Sequence, residues 1–233
     1  MKLAVIPARG GSKRIPRKNI RDFCGRPMIA WPIEAALESG CFDRVVVSTD
    51  DAEIAAIARR EGADVPFMRP AELADDHAPT RPVINHAITF VEGQSGDVET
   101  VCCIYPTTPF VDAQILRDAL DRLQQSGADF VFAAAGYAVP IQWAFRIVED
   151  GSTEWFNSEH WLTRSQDLEP AYHDAGQFYW GKAEAFLADR DMVSRTSLPY
   201  VMPRARVHDI DTPEDWELAA LVFRAMRETG GTA

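Results

Sequence analysis

Between Ala8 and Asn19 the chain sets five basic residues, Arg9, Lys13, Arg14, Arg17 and Lys18, around a Gly10-Gly11 pair and Ser12. Glycines let backbone amides come close to an anion, and the cations supply counter-charge. The run Leu3-Ala4-Val5-Ile6 before this loop reads as a first strand, and a helical pattern is expected from near Pro27. The chemistry implied is a polyphosphate site at the carboxyl end of that strand. Neither GxxxxGK[ST] nor GxGxxG is present, so this is not a Walker loop or a dinucleotide fingerprint. Arg9 and Lys13 suit phosphate oxygens, and Lys18 suits a second phosphate or a leaving group. Asn19 offers a donor and an acceptor for a base or ribose edge.

Two further groups of residues carry chemistry. In Asp209-Ile210-Asp211, read as a strand end, alternation puts both carboxylates on one side and Ile210 into the sheet. Two carboxylates close to a polyphosphate make a natural magnesium site, although Asp211 could instead help to cap the helix that follows. In Tyr172-His173-Asp174-Ala175-Gly176-Gln177-Phe178-Tyr179-Trp180, small residues leave room, polar ones can hydrogen-bond and aromatics can wall a pocket. Tyr105-Pro106-Thr107-Thr108-Pro109-Phe110 is a rigid loop with two hydroxyls that directly follows a strand.

The elements that must position these groups alternate. Strands are expected at Arg44 to Thr49, Thr100 to Tyr105 and Phe130 to Ala134. Helical faces are expected at Val83, Ile84, Ala87, Ile88, Val91 and at Ile115, Leu116, Ala119, Leu120, Leu123, the second closed by Gly127. Asp50 and Glu53 read as a capping box for a helix that Gly62 closes. Thr212 as N-cap and Pro213 at the first position open a last helix, with Leu218, Val222, Phe223 and Met226 on its buried side. This rhythm predicts an α/β fold: a mostly parallel sheet with helices on both faces and ligands beyond the carboxyl ends of the strands. One domain is expected over 1–233. The rhythm breaks from about Gly136 to Pro170, where Trp143, Phe145, Trp155, Phe156 and Trp161 form either an internal mini-core or a subunit interface. The residues from Thr229 onward read as a frayed tail.

Composition sets limits. A 233-residue chain with 46% hydrophobic residues can build a sizeable core. No apolar run suits a membrane span, and Met1-Lys2 leads straight into a strand, so a cytoplasmic protein without membrane association is expected. Cys24, Cys41, Cys102 and Cys103 have no CxxC spacing and read as reduced structural thiols. A net charge of -11 argues against a nucleic-acid surface and isolates the basic loop.

Ala8-Arg9-Gly10-Gly11-Ser12-Lys13 with Lys18-Asn19 resembles the signature of the CMP-sialic acid synthetases and their relatives in the cytidylyltransferase superfamily. So do Gly25-Arg26-Pro27-Met28, Ser48-Thr49-Asp50-Asp51, Arg69-Pro70 and Asp209-Ile210-Asp211. Tyr105, where the N-acetylneuraminate enzymes usually carry Gln, and the Asp174 to Trp180 segment, where they carry an Asn-Gly type sequence, are similar to the pseudaminic acid branch. Phe67-Met68-Arg69-Pro70 and Asp75-Asp76 fit that branch too; Pro106, where it more often has Ala, departs from it. The resemblance implies a Rossmann-like nucleotide-diphospho-sugar transferase fold, a homodimer packed through about 137–170, and magnesium-dependent transfer of CMP from CTP to a nine-carbon 2-keto sugar acid. Arg9, Gly10, Gly11, Ser12, Lys13, Lys18 and Asn19 would bind CTP, with Arg69 and Thr80 flanking the nucleotide. Tyr105, Arg164, Gln166, Gln177, Phe178 and Tyr179 would lie near the sugar. Asp209 and Asp211 would hold magnesium, and Lys18 and Asp211 would be catalytic. An N-acetylneuraminate or legionaminate synthetase, a catalytically dead nucleotide-binding homologue and a nucleotide-sugar glycosyltransferase stand as the alternatives.

Overall fold

A computed structural model describes residues 1–75 and 78–229; Asp76 of the acidic doublet and the tail beyond Thr229 lie outside the described residues. The chain runs β1 (Lys2–Pro7), β2 (Asp22–Phe23), β3 (Arg26–Pro27), α1 (Ala30–Ser39), β4 (Arg44–Ser48), α2 (Ala52–Arg60), α3 (Thr80–Ser95), β5 (Thr100–Ile104), α4 (Ala113–Ser126), β6 (Phe130–Gly136), β7 (Phe145–Ile147), β8 (Thr153–Trp155), β9 (Tyr172–Lys182), α5 (Ala183–Leu187), β10 (Ser197–Val201) and α6 (Pro213–Glu228). Among the described residues the main sheet has the order β10-β6-β9-β5-β1-β4. The β1–β4, β1–β5 and β10–β6 pairs are parallel; β9 is antiparallel to both β5 and β6.

Alternation along the strands builds the two layers. Ala4 and Ile6 of β1, Cys102 and Ile104 of β5, and Val131 and Ala133 of β6 meet Ile33, Ile54 and Leu116 of α1, α2 and α4 on one face. Leu3, Val5, Val101, Cys103, Phe130 and Phe132 point the other way, onto Ile84, Ile88 and Val91 of α3 and Phe186 of α5. The expected α/β architecture therefore holds, with helices on both faces. Cys41, Cys102 and Cys103 are buried free thiols, Cys24 is half-buried, and burial raises the last three in pKa. Among the described residues no helix is long and apolar enough to cross a membrane.

The structure corrects several local expectations. Pro27 lies in the β2–β3 ribbon, and α1 begins only at Ala30. Asp51, not Asp50, caps α2, accepting from the Glu53 and Ile54 amides; the third helical position is then Ile54, so the expected reciprocal box does not form. The Thr212 cap is found as expected, with Asp215 completing a capping box. Leu218 of α6 is 54% exposed; Trp216, Ala219, Ala220 and Phe223 supply the buried side, with Val222 and Met226 partly buried. Asp209 to Asp211 is an extended connection rather than a strand. Ile210 is buried against Phe23 and Trp216 beneath α6, away from the sheet. The last sheet strand is β10, which alternation did not reveal, since Pro199 interrupts it at the sheet edge.

From 137 to 170 the chain leaves the sheet. Every residue of β7 and β8 is exposed. Phe145 and Trp155 meet edge to face at 5.7 Å, and Trp143 donates its indole N–H to the His160 carbonyl. Phe156, Trp161 and Leu162 stay more than half exposed.

Close packing of β9 gives a test of the sheet. A Cβ on Gly181 would fall on the Phe130 ring and lie 2.9 Å from Phe186 Cε2. Gly181→Ala should therefore cost about 1–3 kcal/mol of stability, seen as a lower urea midpoint; an unchanged midpoint would show that α5 is loosely docked.

Candidate active site

The carboxyl ends of β1, β4 and β5 and the amino-terminal half of the antiparallel β9 meet along one edge, with the segment before α6 close by. An antiparallel strand among parallel ones brings its beginning to the edge where its neighbours end. That is how His173 to Gln177 come to lie beside Tyr105 and Thr107.

Two cavities open along this edge. The larger, about 520 Å³, is lined by Tyr137, Asp174, Gln177, Arg204 and Asp209 among others. The smaller, about 280 Å³, is lined by Arg9, Arg69, Asp75, Thr80 and Pro106. Tyr105 and Thr107 line both and form the wall between them.

The basic loop is tied to the protein's own carboxylates. The Gly10 amide donates to Asp50 Oδ1 at 2.9 Å, and a Cβ on Gly10 would sit 2.9 Å from Asp51 Oδ2. The close approach that this glycine permits is thus to Asp51; Gly11 has open space around it. Arg17, held at φ +57°, binds Asp51 Oδ2 at 2.5 Å and also reaches Glu53. Lys18 Nζ donates to the Ile210 carbonyl at 2.8 Å and to Asp211 Oδ1 at 3.1 Å. Arg14 binds the other oxygen of Asp211 at 2.7 Å. Lys13 is exposed and Ser12 half-buried, its amide bonded to the Gly10 carbonyl.

Asn19 is buried, and its amide donates to the Arg9 carbonyl at 2.9 Å. It shapes the loop and is not among the residues that line either cavity. Arg9 reaches across to the Asp75 carbonyl at 3.1 Å. Arg69 is buried on Ser48, donating Nε to Oγ at 3.1 Å and Nη2 to the carbonyl. Burial pulls its guanidinium down to about 10, so it stays charged at neutral pH. Thr80, the first residue of α3, meets the Tyr105 hydroxyl at 3.2 Å.

On the other side of the wall, Gln177 and Tyr179 are nearly inaccessible; Gln177 still borders the larger cavity, and its amide donates to the Ala175 carbonyl. Tyr179 supports Tyr105 from behind, ring centroids 5.7 Å apart. Phe178 is wholly buried in the core and lines neither cavity, because alternation turns it to the opposite face of β9. Arg164 and Gln166 sit exposed on the excursion and border neither cavity. Arg14, Arg17, Tyr137 and Arg204 were not singled out from sequence. The first two were legible only as loop charge, and the last two lie in segments without periodicity.

Asp209 borders the larger cavity. Burial, and then the nearby charge of Asp211, hold its carboxyl above the usual range, so the two carboxylates are close enough to repel.

A family model described as cytidylyltransferase matches residues 3–211, from β1 through Asp211. The chain belongs to the cytidylyltransferase family. It is 44% identical over 227 residues to a pseudaminic acid cytidylyltransferase of Campylobacter jejuni, covering 97% of this chain and 98% of that one. It is 34% identical to a CMP-N,N'-diacetyllegionaminic acid synthase of Legionella pneumophila, covering 97% of both. A solved CMP:2-keto-3-deoxy-manno-octonic acid synthetase in complex with CTP superposes with a TM-score of 0.68 over 96% of this chain and 98% of that one, at 17% identity, a likeness of fold.

The Asp51–Arg17 contact that anchors this cytidylyltransferase's loop should be visible in pH dependence. The Arg17 hydrogen bond holds the Asp51 carboxyl below its usual range. A depressed carboxylate pKa stabilises the fold above the unfolded value of about 4, and that contribution is lost as pH falls through the folded value. Asp51→Asn keeps a good N-cap and removes the charge. It should lower Tm at pH 7, with the gap to the wild type closing below about pH 4; a gap of the same size at pH 7 and pH 3 would contradict the ion pair.

Proposed function

We propose that the chain transfers CMP from CTP to the anomeric hydroxyl of pseudaminic acid, a nine-carbon 2-keto sugar acid, giving CMP-pseudaminate and pyrophosphate. The observation that carries the reading is the pair of adjoining cavities divided by Tyr105 and Thr107 in a cytidylyltransferase similar over its length to a pseudaminic acid cytidylyltransferase. The smaller cavity, beside Arg9, Arg69 and Thr80, suits the nucleotide; the larger one suits the sugar acid.

In this reading an oxygen–phosphorus bond forms between the sugar hydroxyl and the α-phosphorus. The bond from the α-phosphorus to the bridging oxygen breaks, pyrophosphate leaves with the electron pair, and the proton of the sugar hydroxyl passes to water. Most of the catalysis is positioning and charge stabilisation. Arg9 and Lys13 bind phosphate oxygens, Gly11 and Ser12 let the triphosphate lie along the loop, and Gly10 seats the loop on Asp50 and Asp51. Lys18, already aimed at the Asp209–Asp211 segment, neutralises charge on the reacting phosphates. Asn19 holds the loop through the Arg9 carbonyl. Gln177, Tyr105 and Tyr179 shape the sugar side.

The residues present fit magnesium. Asp209 and Asp211 are hard oxygen donors whose mutual repulsion a divalent cation would relieve. Bound there, the ion would supply Lewis-acid polarisation and charge neutralisation. The chain itself contributes Lys18 and Arg14, which hold Asp211 in place.

The sugar preference follows from the wall. A phenol at Tyr105 cannot present the paired donor and acceptor of an amide. Its ring, backed by Tyr179, suits the methyl groups of a deoxygenated, di-N-acylated sugar acid. A pyrophosphate-release assay with a nucleotide and sugar-acid panel should show CTP used at least tenfold better than ATP or GTP, and pseudaminate at least tenfold better than N-acetylneuraminate. Equal use of N-acetylneuraminate would remove the sugar assignment and leave the CMP transfer. No turnover of any sugar acid with CTP would remove both.

The protein acts as a homodimer in the same reading. The exposed Phe145, Trp155, Phe156 and Trp161 are apolar surface for a second copy to cover, and Arg164 and Gln166 on the excursion would reach the partner's larger cavity. Light scattering should give twice the chain mass at micromolar concentration. A monomer at that concentration would sink the dimer.

A further inference from the structure

A bulge in β9 builds the floor of the larger cavity. Against β5 the strand keeps its register, with Cys103 opposite Tyr179, Ile104 opposite Phe178 and the Tyr105 amide bonded to the Gln177 carbonyl. Against β6 it does not: Phe132 faces Tyr179, but Ala134, only two residues on, faces Asp174. The residues from Ala175 to Phe178 are looped out, with Gly176 at φ +59°. Bulges re-aim side chains, and this one needs something to hold its ends.

Asp174 spans it. One carboxylate oxygen accepts the Gly176 amide at 2.8 Å, and the other accepts the Tyr179 hydroxyl at 2.7 Å. Tyr179 is buried and packs on Tyr105, whose hydroxyl meets Thr80 Oγ1 at 3.2 Å across the wall. Hydrogen bonds at both ends and ring packing between Tyr179 and Tyr105 thus link the floor of the larger cavity to the edge of the smaller one. We propose that Asp174 is a positioning residue for the sugar side: it staples the β9 bulge and, through the Tyr179 hydroxyl, fixes Tyr105 as the wall between the cavities. This rests on the assignment of the larger cavity to the sugar acid. Asparagine could not replace it without loss, because two donors converge on Asp174 and an amide offers one acceptor oxygen and a donor.

The charge of Asp174 sharpens the test. Were it merely an anion in the cavity of an anionic substrate, removing the charge would relieve repulsion and lower the KM of the sugar acid. A positioning role demands the opposite. The experiment measures steady-state kinetics for Asp174→Asn, Tyr179→Phe and the double variant, using whichever sugar acid the wild-type enzyme turns over fastest, so that a wrong sugar assignment is seen first in the wild type. Melting curves accompany each variant. Each single substitution should raise the KM of the sugar acid fivefold or more and leave the KM of CTP within twofold. The double variant should be no worse than Asp174→Asn alone, because Asp174 acts through Tyr179. An unchanged or lowered sugar-acid KM in Asp174→Asn, a parallel rise in both KM values, or fully multiplicative effects would overturn the proposal. Should Asp174→Asn fail to fold, the near-isosteric Tyr179→Phe decides: a sugar-acid KM within twofold of the wild type refutes the role.

Discussion

Five cations packed into twelve residues repel one another unless something answers their charge, and the site depends on how the chain supplies that answer. Lys18 reaches 193 positions along the sequence to Asp211, both side chains only partly exposed. Arg14 takes the second oxygen of the same carboxylate, while Asp50, Asp51 and Glu53 hold Gly10 and Arg17. The loop after the first strand is therefore closed by acids from two distant segments. Lys18 thus ties the loop to the segment before α6 and sets the spacing between them.

That tie also explains the placement of the last helix. Ile210, between the two carboxylates, is buried among Phe23, Trp216 and Phe223, so the acids cannot shift without unpacking a hydrophobic cluster. The Thr212–Asp215 capping box fixes the start of α6 directly after Asp211, and Asp215 also accepts the Asp211 amide. Apolar packing on one side and ion pairing on the other hold Asp211 where Lys18 meets it. Such a position is preorganised, and preorganised charge is what phosphoryl chemistry asks of a protein.

Much of this was legible in the chain. The loop after β1 was readable because its glycines and cations stand together in an acidic protein, and the α3 and α4 faces because their periodicity is strong. Two kinds of feature were not. Long-range ion pairs such as Arg17–Asp51 leave no local pattern, so Arg14 and Arg17 looked like loop charge. The antiparallel sense of β9 and its bulge come from pairing with β5 and β6 and have no period of their own. Hence Phe178, between Gln177 at the larger cavity and Tyr179 behind the wall, faces the core. The Asp209–Asp211 pair lies on a different element from the one alternation suggests: it is no strand, and Ile210 is inward because α6 draws it into a separate cluster.

Lys18 and Asp211 act as one unit that joins the basic loop to the segment before α6. A double-mutant cycle on Lys18→Met and Asp211→Asn, read as urea unfolding free energies without added nucleotide or metal, tests it most directly. Coupled residues should give an interaction energy of about 0.5 kcal/mol or more, the double variant losing less than the two singles together. Losses that simply add would mean that the basic loop and the acidic segment are placed independently, and would contradict the account.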